Sequence, residues 1–490
     1  MSNKKSKTNL NGRRSFIKNG VAASSLFIVP RHVLGGVGFT PPSDQLALAG
    51  IGVGGKGESD LRNASVKGRE RVVALCDTDS SVEGSVAKSV KRFSDANFYD
   101  NFKKMLDKEK DIDAVTISTP DHTHAVITYA AMQLGKHVYV QKPLTHNIYE
   151  ARVLTEAAVN NKIVTQMGNQ GASGKGVQTM INWYDSGLIG NVHKVDVWTN
   201  RPVWPQGMKS PTDKPAILSN LDWDSWIGPA KWVDYHPLYH PFKWRGWWNF
   251  GTGALGDMGC HLMDPPYRVL GLGYPTEVES SVGAVFTKDW IPDYYPESCP
   301  PSSRTQLKFK GSDKNPIEVK LDWTDGGLRP FHPDLIPADH SIGDDNSANG
   351  VMMMGEKGIM TCGTYGATPK VYLNSGDIIL PDMISNIEET SKLPESGHQA
   401  KWVDACKAGY GSEEHEKLTS SFDYAGPLTE SILMGNLAIR SYNLREQKNN
   451  KMVYPGRKKL LWDGIHMRVT NFEPANQFVK RDYREGWKLD

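Results

Sequence analysis

No stretch of the 490-residue chain approaches the ~18 uninterrupted apolar residues that a membrane-crossing helix needs, so no transmembrane helix is expected. Cysteine is scarce: Cys76, Cys260, Cys299, Cys362 and Cys406 are odd in number, widely spaced and form no CxxC pair. That pattern argues against a disulfide framework and against a cysteine zinc site. There is no internal repeat, and the 47 glycines and 29 prolines follow no period, which excludes a collagen-like or low-complexity chain. Acidic residues are missing from positions 1–40, which hold Lys4, Lys5, Lys7, Arg13, Arg14, Lys18 and Arg31. Without those seven, 50 basic residues face 55 acidic ones, a net charge of −5. A mildly acidic body has no electrostatic reason to bind nucleic acid. Aromatics, by contrast, are plentiful, with 14 Trp, 18 Tyr and 14 Phe. So much apolar area to bury indicates a globular protein, and the length suggests two domains.

Residues 1–40 read as an address. Arg13-Arg14-Ser15-Phe16-Ile17-Lys18 precedes the short apolar run Val21–Val29, a basic region followed by an apolar core. The pattern is similar to a twin-arginine signal, the class that exports folded proteins, and predicts a periplasmic protein carrying a tightly held cofactor. A disordered basic tail with an incidental Arg pair is the alternative.

From 45 to 168 the sequence reads as a nucleotide-binding domain. Leu46–Gly52 is a short apolar strand running into Gly52-Val53-Gly54-Gly55-Lys56-Gly57, a GxGxxG match, and then into a helix from Glu58 to Val66. Gly52 permits the tight turn, Gly54 lets the backbone approach a pyrophosphate, and Gly57 lets helix and strand pack closely. A second apolar strand, Arg71–Asp77, ends in an acid that can accept hydrogen bonds from a ribose diol and repel a 2′-phosphate. Asp79 adds to that repulsion, so NAD is favoured over NADP. Further strands end at Thr119-Pro120-Asp121-His122-Thr123-His124 and at Gln141-Lys142-Pro143, the strand ends at which open α/β sheets bind ligands. No carboxylate or cysteine completes a ligand set with His122 and His124, so these read as pocket-wall histidines and no metal is expected.

At this point the chain resembles the glucose-fructose oxidoreductase, inositol dehydrogenase and rhizopine-catabolism (Gfo/Idh/MocA) superfamily. The matching stretches are Gly52–Gly57, Thr119–His124, Gly135–Leu144 and Gly256–His261, in the family's order. One departure is Gln141-Lys142-Pro143 in place of the usual Glu-Lys-Pro, which removes a charge beside Lys142. The resemblance implies a Rossmann domain followed by an α+β domain with a large, mostly antiparallel sheet that often makes oligomer contacts. It also implies a cis bond before Pro143 that sets Lys142 beside the nicotinamide. The cofactor-binding residues it suggests are Gly52, Gly54, Gly55, Gly57, Asp77, Thr119, Pro120, His124, Gln141, Lys142 and Asn169.

Residues 169–490 form the expected second domain, for substrate and oligomer contacts, ending in a C-terminal tail. Strands are read at Val192–Thr199, Glu277–Phe286, Thr305–Lys310 and Ile317–Trp323. A hairpin is read at Met352–Thr361, and helices at Gln399–Lys407 and Leu428–Tyr442. Between Leu221 and Phe250 lie Trp223, Trp226, Trp232, Tyr235, Tyr239, Trp244, Trp247 and Trp248, interleaved with His236, His240, Lys243 and Arg245. Aromatic faces stack on sugar rings, and equally fill cores. On the sugar reading, Trp204, Tyr235, His236, His240 and Arg245 are substrate candidates. Asp257 and His261 share one face if Gly256–Leu262 is helical. A dehydrogenase needs a base for the hydroxyl proton and a group orienting that base. His261 suits the first role and Asp257 the second, with Lys142 polarising the oxygen; a surface ion pair is the alternative for Asp257 and His261. The expected activity is NAD-dependent oxidation of a secondary hydroxyl of a sugar or glycoside, and the family resemblance implies carbon 3 of a hexopyranoside as the position. An NAD-dependent glycosidase, which uses the same oxidation transiently, is the second expectation, and a non-catalytic sugar-binding protein the third.

Overall fold

The computed structural model describes residues 44–81, 84–346, 348–381 and 396–489, so the signal-like segment 1–40 lies outside the described residues. Six strands make a fully parallel sheet: β1 (Ala47–Ile51), β2 (Arg71–Cys76), β3 (Asn97–Tyr99), β4 (Ala114–Ile117), β5 (His137–Val140) and β6 (Thr165–Met167). Their order, β3-β2-β1-β4-β5-β6, is that of a doubly wound nucleotide-binding sheet. β1 and β4 are buried at every position, which is why they read as continuous apolar runs without alternation. The chain order reverses between β1 and β4, and a crevice opens there at the strands' carboxyl ends.

A second sheet holds β7 (Val192–Trp198), β8 (Pro275–Val282), β9 (Ser303–Phe309), β10 (Val319–Thr324), β11 (Gly350–Gly355), β12 (Gly358–Cys362), β13 (Lys370–Leu373) and β14 (Ile378–Ile379). β15 (Glu446–Lys448) and β16 (Lys451–Val453) pair only with each other, whereas β17 (Leu460–Asp463) and β18 (Arg468–Val469) extend the large sheet beyond β8. Within it β7 and β10 are parallel and the other pairs antiparallel, so the sheet is mixed but mostly antiparallel.

Several elements differ in extent from the sequence reading. The last long helix begins at Phe422 and passes through Pro427, six residues before the expected start at Leu428. Proline removes one helical hydrogen bond, but Phe422 and Ala425 in that first stretch are fully buried, and their burial offsets the loss. The helix after β4 is Asp121–Gln133, starting directly after Pro120 and four residues before the expected Ala125. The helix Ser396–Ala408 comes late in the chain, yet Trp402, Val403, Ala405 and Cys406 pack with Leu48, Leu61 and Leu75 in the core of the first sheet. All five cysteines are free and buried.

Candidate active site

The glycine loop follows β1 as expected. Gly52 has φ +75°, a backbone that side chains resist, and a Cβ at Gly57 would overlap the Gly52 carbonyl oxygen. Asp77 ends β2, but its carboxylate already braces this loop: Oδ2 accepts from the Val53 and Gly54 N–H groups at 2.9 and 3.3 Å, and Oδ1 from Asp79 N–H at 3.1 Å. Burial raises the Asp77 carboxyl to about 6, against the lowering effect of those donors.

Loop and acid open onto a cavity of about 1390 Å³ that extends to the second sheet's side of the molecule. Of the cofactor candidates, Gly52, Gly54, Gly55, Asp77, Thr119, Pro120, Gln141 and Lys142 line it. Gly57 stands behind the wall in the helix Lys56–Ala64. His124 is buried off the cavity, its ring nitrogens 2.7 Å from the Thr119 carbonyl and 2.8 Å from that of Pro143, so it ties two wall loops together. Asn169 is buried next to the lining residue Gln170, and its amide nitrogen and oxygen have no partner among the described residues. Gln141 donates to Asp60 Oδ2 at 2.8 Å; Asp60 is fully buried and also receives Ser118, Gln399 and Lys56. A glutamate at 141 would set a second carboxylate against Asp60, which accounts physically for the glutamine.

The Lys142–Pro143 peptide is cis. Lys142 Nζ donates to Asp257 Oδ1 at 2.8 Å and to the Asp257 carbonyl at 2.6 Å. Asp257 and His261 lie on the helix Gly253–Leu262, and Pro265 and Pro266 fall in the first turn of the next one. The expected contact between Asp257 and His261 is replaced: the carboxylate faces Lys142, with Arg245 Nε at 3.7 Å, and no hydrogen bond to His261 is formed. Burial pushes the Asp257 carboxyl up, but Lys142 and Arg245 outweigh it and hold it below the usual range. Burial, assisted by Lys142, keeps His261 well below the ordinary imidazole value, so it is a neutral base at pH 7. Its Nδ1 is buried without a partner among the described residues, and the ring lines the cavity.

Most of the aromatic segment is a small core of its own. Trp223 and Trp226 stack at 4.6 Å and 10°, surrounded by Tyr235, Tyr239, Trp244, Trp247 and Phe250. Of the substrate candidates, His240 and Arg245 reach the cavity. Tyr235 is buried against Trp223, His236 lies 3.3 Å from Asp213, and Trp204 backs Arg245 from 5.9 Å, all three off the wall. Arg201 and Tyr365 line the cavity without any sequence signal, and Asp121 is marked in the sequence only as part of the Thr119–His124 cluster, with no role of its own. Asp121, buried and raised to about 6, accepts from Thr252 at 2.7 Å. Arg201 lies just beyond β7. Tyr365 has φ +66°, a strained backbone for a residue with a side chain, and its ring stands 4.6 Å from His261 at 72°. Asp344 secures that turn by accepting from the Thr364 N–H and hydroxyl. Such details are invisible without the fold.

A dinucleotide crevice on a doubly wound sheet, with a lysine, an acid and a neutral histidine converging at its far end, defines an oxidoreductase-type fold and site. Comparison with known proteins agrees. Residues 46–169 match the family model described as "Oxidoreductase family, NAD-binding Rossmann fold", and residues 175–288 match "Oxidoreductase family, C-terminal alpha/beta domain". Residues 46–169 and 175–288 thus match the two domains of the Gfo/Idh/MocA oxidoreductase family, the first of them its NAD-binding domain. It is similar to levoglucosan dehydrogenase of Pseudarthrobacter phenanthrenivorans, with 25% identity over 48% of this chain and 50% of that one. It is also similar to glycosyl hydrolase family 109 protein 2 of Shewanella sp. strain ANA-3, with 28% identity over 57% of each. The chain thus spans about half the length of these curated relatives. Levoglucosan dehydrogenase solved with NADH and L-sorbose shares the fold, with a TM-score of 0.53 and 15% identity over 81% of this chain and 98% of that one.

Proposed function

We propose that the protein is an NAD-dependent oxidoreductase acting on a secondary ring hydroxyl of a sugar or glycoside, with carbon 3 of a hexopyranoside the preferred position. The observation that carries the reading is the Lys142–Asp257 pair beside neutral His261, on the same cavity as the glycine loop. Bound NAD supplies the hydride acceptor. Gly52, Gly54 and Gly55 would hold its pyrophosphate, with the acids Asp77 and Asp79 at the ribose end favouring NAD over NADP. Equal affinity for the two dinucleotides in a calorimetric titration would remove that preference. His261 accepts the hydroxyl proton as the carbinol carbon loses hydride and its C–O bond becomes a carbonyl. Lys142, fixed by two bonds to Asp257, polarises the oxygen. The saccharide is expected to meet His240, Arg245 and Tyr365, which line the same cavity.

The resemblance to a family 109 glycosyl hydrolase supports a second reading. There the same oxidation acidifies the neighbouring hydrogen, the aglycone is eliminated, water adds, and hydride returns to the sugar with no net redox change. Incubation with a glycoside panel decides between them. A keto-sugar with its glycosidic bond intact indicates the dehydrogenase, whereas aglycone release without net NADH indicates the glycosidase. Neither product from any saccharide would leave a binding protein.

Tyr365→Ala should lower kcat/KM roughly 10–100-fold, because the ring that confines His261 is gone and small misplacements at a reacting centre are costly. Tyr365→Phe keeps the ring and isolates the hydroxyl. Unchanged kinetics in the alanine variant would make Tyr365 a bystander.

The reading also includes export by the twin-arginine route to the periplasm, supported by Arg13-Arg14 ahead of the apolar run. Replacing both with lysine should leave a fused reporter in the cytoplasm; undiminished export would show the pair to be incidental. A homo-oligomer built through the large sheet is proposed on family grounds alone, and sedimentation analysis tests it.

A further inference from the structure

The chain's last described stretch returns to helices flanking the parallel sheet and to the segment 224–228, and is fastened to them at several points. The Tyr149 N–H donates to the Val479 carbonyl. Arg481 pairs with Glu150 at 2.8 Å, and the Tyr483 hydroxyl donates to the same carboxylate at 3.0 Å. Arg484 donates to the Gly228 carbonyl at 2.9 Å and to Asp224 Oδ1 at 2.7 Å. Lys103 Nζ donates to the Gly486 carbonyl at 2.9 Å. These fastenings deliver Trp487 against Phe102, ring centroids 6.0 Å apart, with Lys103 Nζ 4.1 Å from the centre of its ring.

Trp487 lines the same cavity as Asp77, Thr78 and Phe102, that is, the end reached from the tip of β2. A second segment from outside the parallel sheet meets it there. Asn220 donates to Asp79 at 2.5 Å, the Asp222 N–H to the Thr78 carbonyl at 2.9 Å, and Asn101 to Ser225 at 2.8 Å. Ser225 and Trp226 of that segment line the cavity as well. Gly228, at φ +53°, turns the chain between Thr123 and Trp487, where a Cβ would stand 3.0 Å from the Thr123 methyl and 3.4 Å from the indole.

We infer that residues 479–489 form a clasp over the adenosine end of the dinucleotide site, with Trp487 as an aromatic surface for the base, and that this clasp holds NAD on the protein through successive turnovers. The inference rests on residues 46–169 binding NAD. An aromatic face beside a purine adds stacking energy whatever the base's hydrogen bonding, and a segment anchored at both Arg481 and Arg484 must release several bonds before the base can leave. The catalytic end of the cavity, at Lys142 and His261, is untouched by the clasp.

The test uses the full-length protein. NAD content after denaturation is measured by mass, and the dissociation rate by exchange of bound NAD for isotope-labelled NAD, in the native protein, Trp487→Ala, Trp487→Phe and Arg484→Gln. The native protein should keep NAD through gel filtration. Trp487→Ala should release it roughly tenfold faster or more, Arg484→Gln should also release it faster, and Trp487→Phe should stay near native. Thermal melting separates these effects from misfolding, and Arg484→Gln, with its residue off the cavity wall, keeps the question open to test if Trp487→Ala does not fold. Native-like release from both Trp487→Ala and Arg484→Gln overturns the clasp. Native protein that binds NAD but exchanges it within seconds overturns retention while leaving the proposed reaction standing. A native protein that binds no NAD at all overturns both.

Discussion

Lys142→Met and His261→Ala are expected to keep NAD and lose hydride transfer, by ~10²–10⁴ in rate, the usual cost of removing a general base or its partner. Dinucleotide affinity should persist because the glycine loop and Asp77 stand at the other end of the cavity. The two variants differ in stability. Lys142 and Asp257 form a largely buried pair, so the methionine leaves a carboxylate whose remaining cation, Arg245, is 3.7 Å away. Losing its hydrogen-bonded ammonium leaves that buried carboxylate undercompensated, at a cost of about 1–3 kcal/mol, and the melting temperature of Lys142→Met should fall accordingly. His261 makes no hydrogen bond through Nδ1 among the described residues, and its alanine variant loses packing against Tyr365 instead. Asp257→Asn should cost less activity than either, since it still accepts from Lys142. In the native enzyme, His261 is held neutral by burial, so kcat/KM should show no acid limb attributable to this residue at the ordinary imidazole value of 6.5. Pre-steady-state NADH absorbance with a glycoside panel is the measurement. NADH formation at the native rate in Lys142→Met or His261→Ala would reduce that residue to a structural one.

Gly57→Ala should damage the protein at its other end. The added methyl has no room, because it would overlap the Gly52 carbonyl oxygen, and that oxygen belongs to backbone that cannot swing aside as a flexible side chain could. Overpacking of this kind costs about 1–3 kcal/mol. Displacing the helix start should also weaken NAD binding, since the N–H groups there face the phosphates. Gly55 provides the comparison: a Cβ there meets nothing within 4 Å, so its alanine variant carries the backbone strain of φ +51° and ψ −113°, a combination that side chains resist, without any overlap. Calorimetry of NAD binding and thermal melting should rank Gly57→Ala as the more damaged in binding. Equal NAD affinity in Gly57→Ala and the native protein would show that the loop relaxes around the methyl.

Residues close together in sequence determined the first sheet. Strand, glycine turn, helix and strand follow one another from Ala47 to Cys76, and each step is set by local burial and backbone freedom. The same holds for Asp257 and His261, four apart on one helix. β3 and β6, three residues each, were not legible, because strands so short carry too little pattern. What only tertiary structure decided is partnership across long separations. Asp257 belongs to Lys142, 115 residues earlier, and not to its helix neighbour His261, because a carboxylate in a low-dielectric pocket gains more from an ammonium than from a neutral imidazole. Composition could not divide the aromatic segment into core and cavity wall, since both uses bury the same apolar area; packing sent Tyr235 inward and left His240 and Arg245 at the wall. Tyr365, Asp121 and Trp487 reach the cavity from three distant parts of the chain. Their side chains acquire chemical meaning through what the fold sets beside them: His261, Thr252 and Phe102.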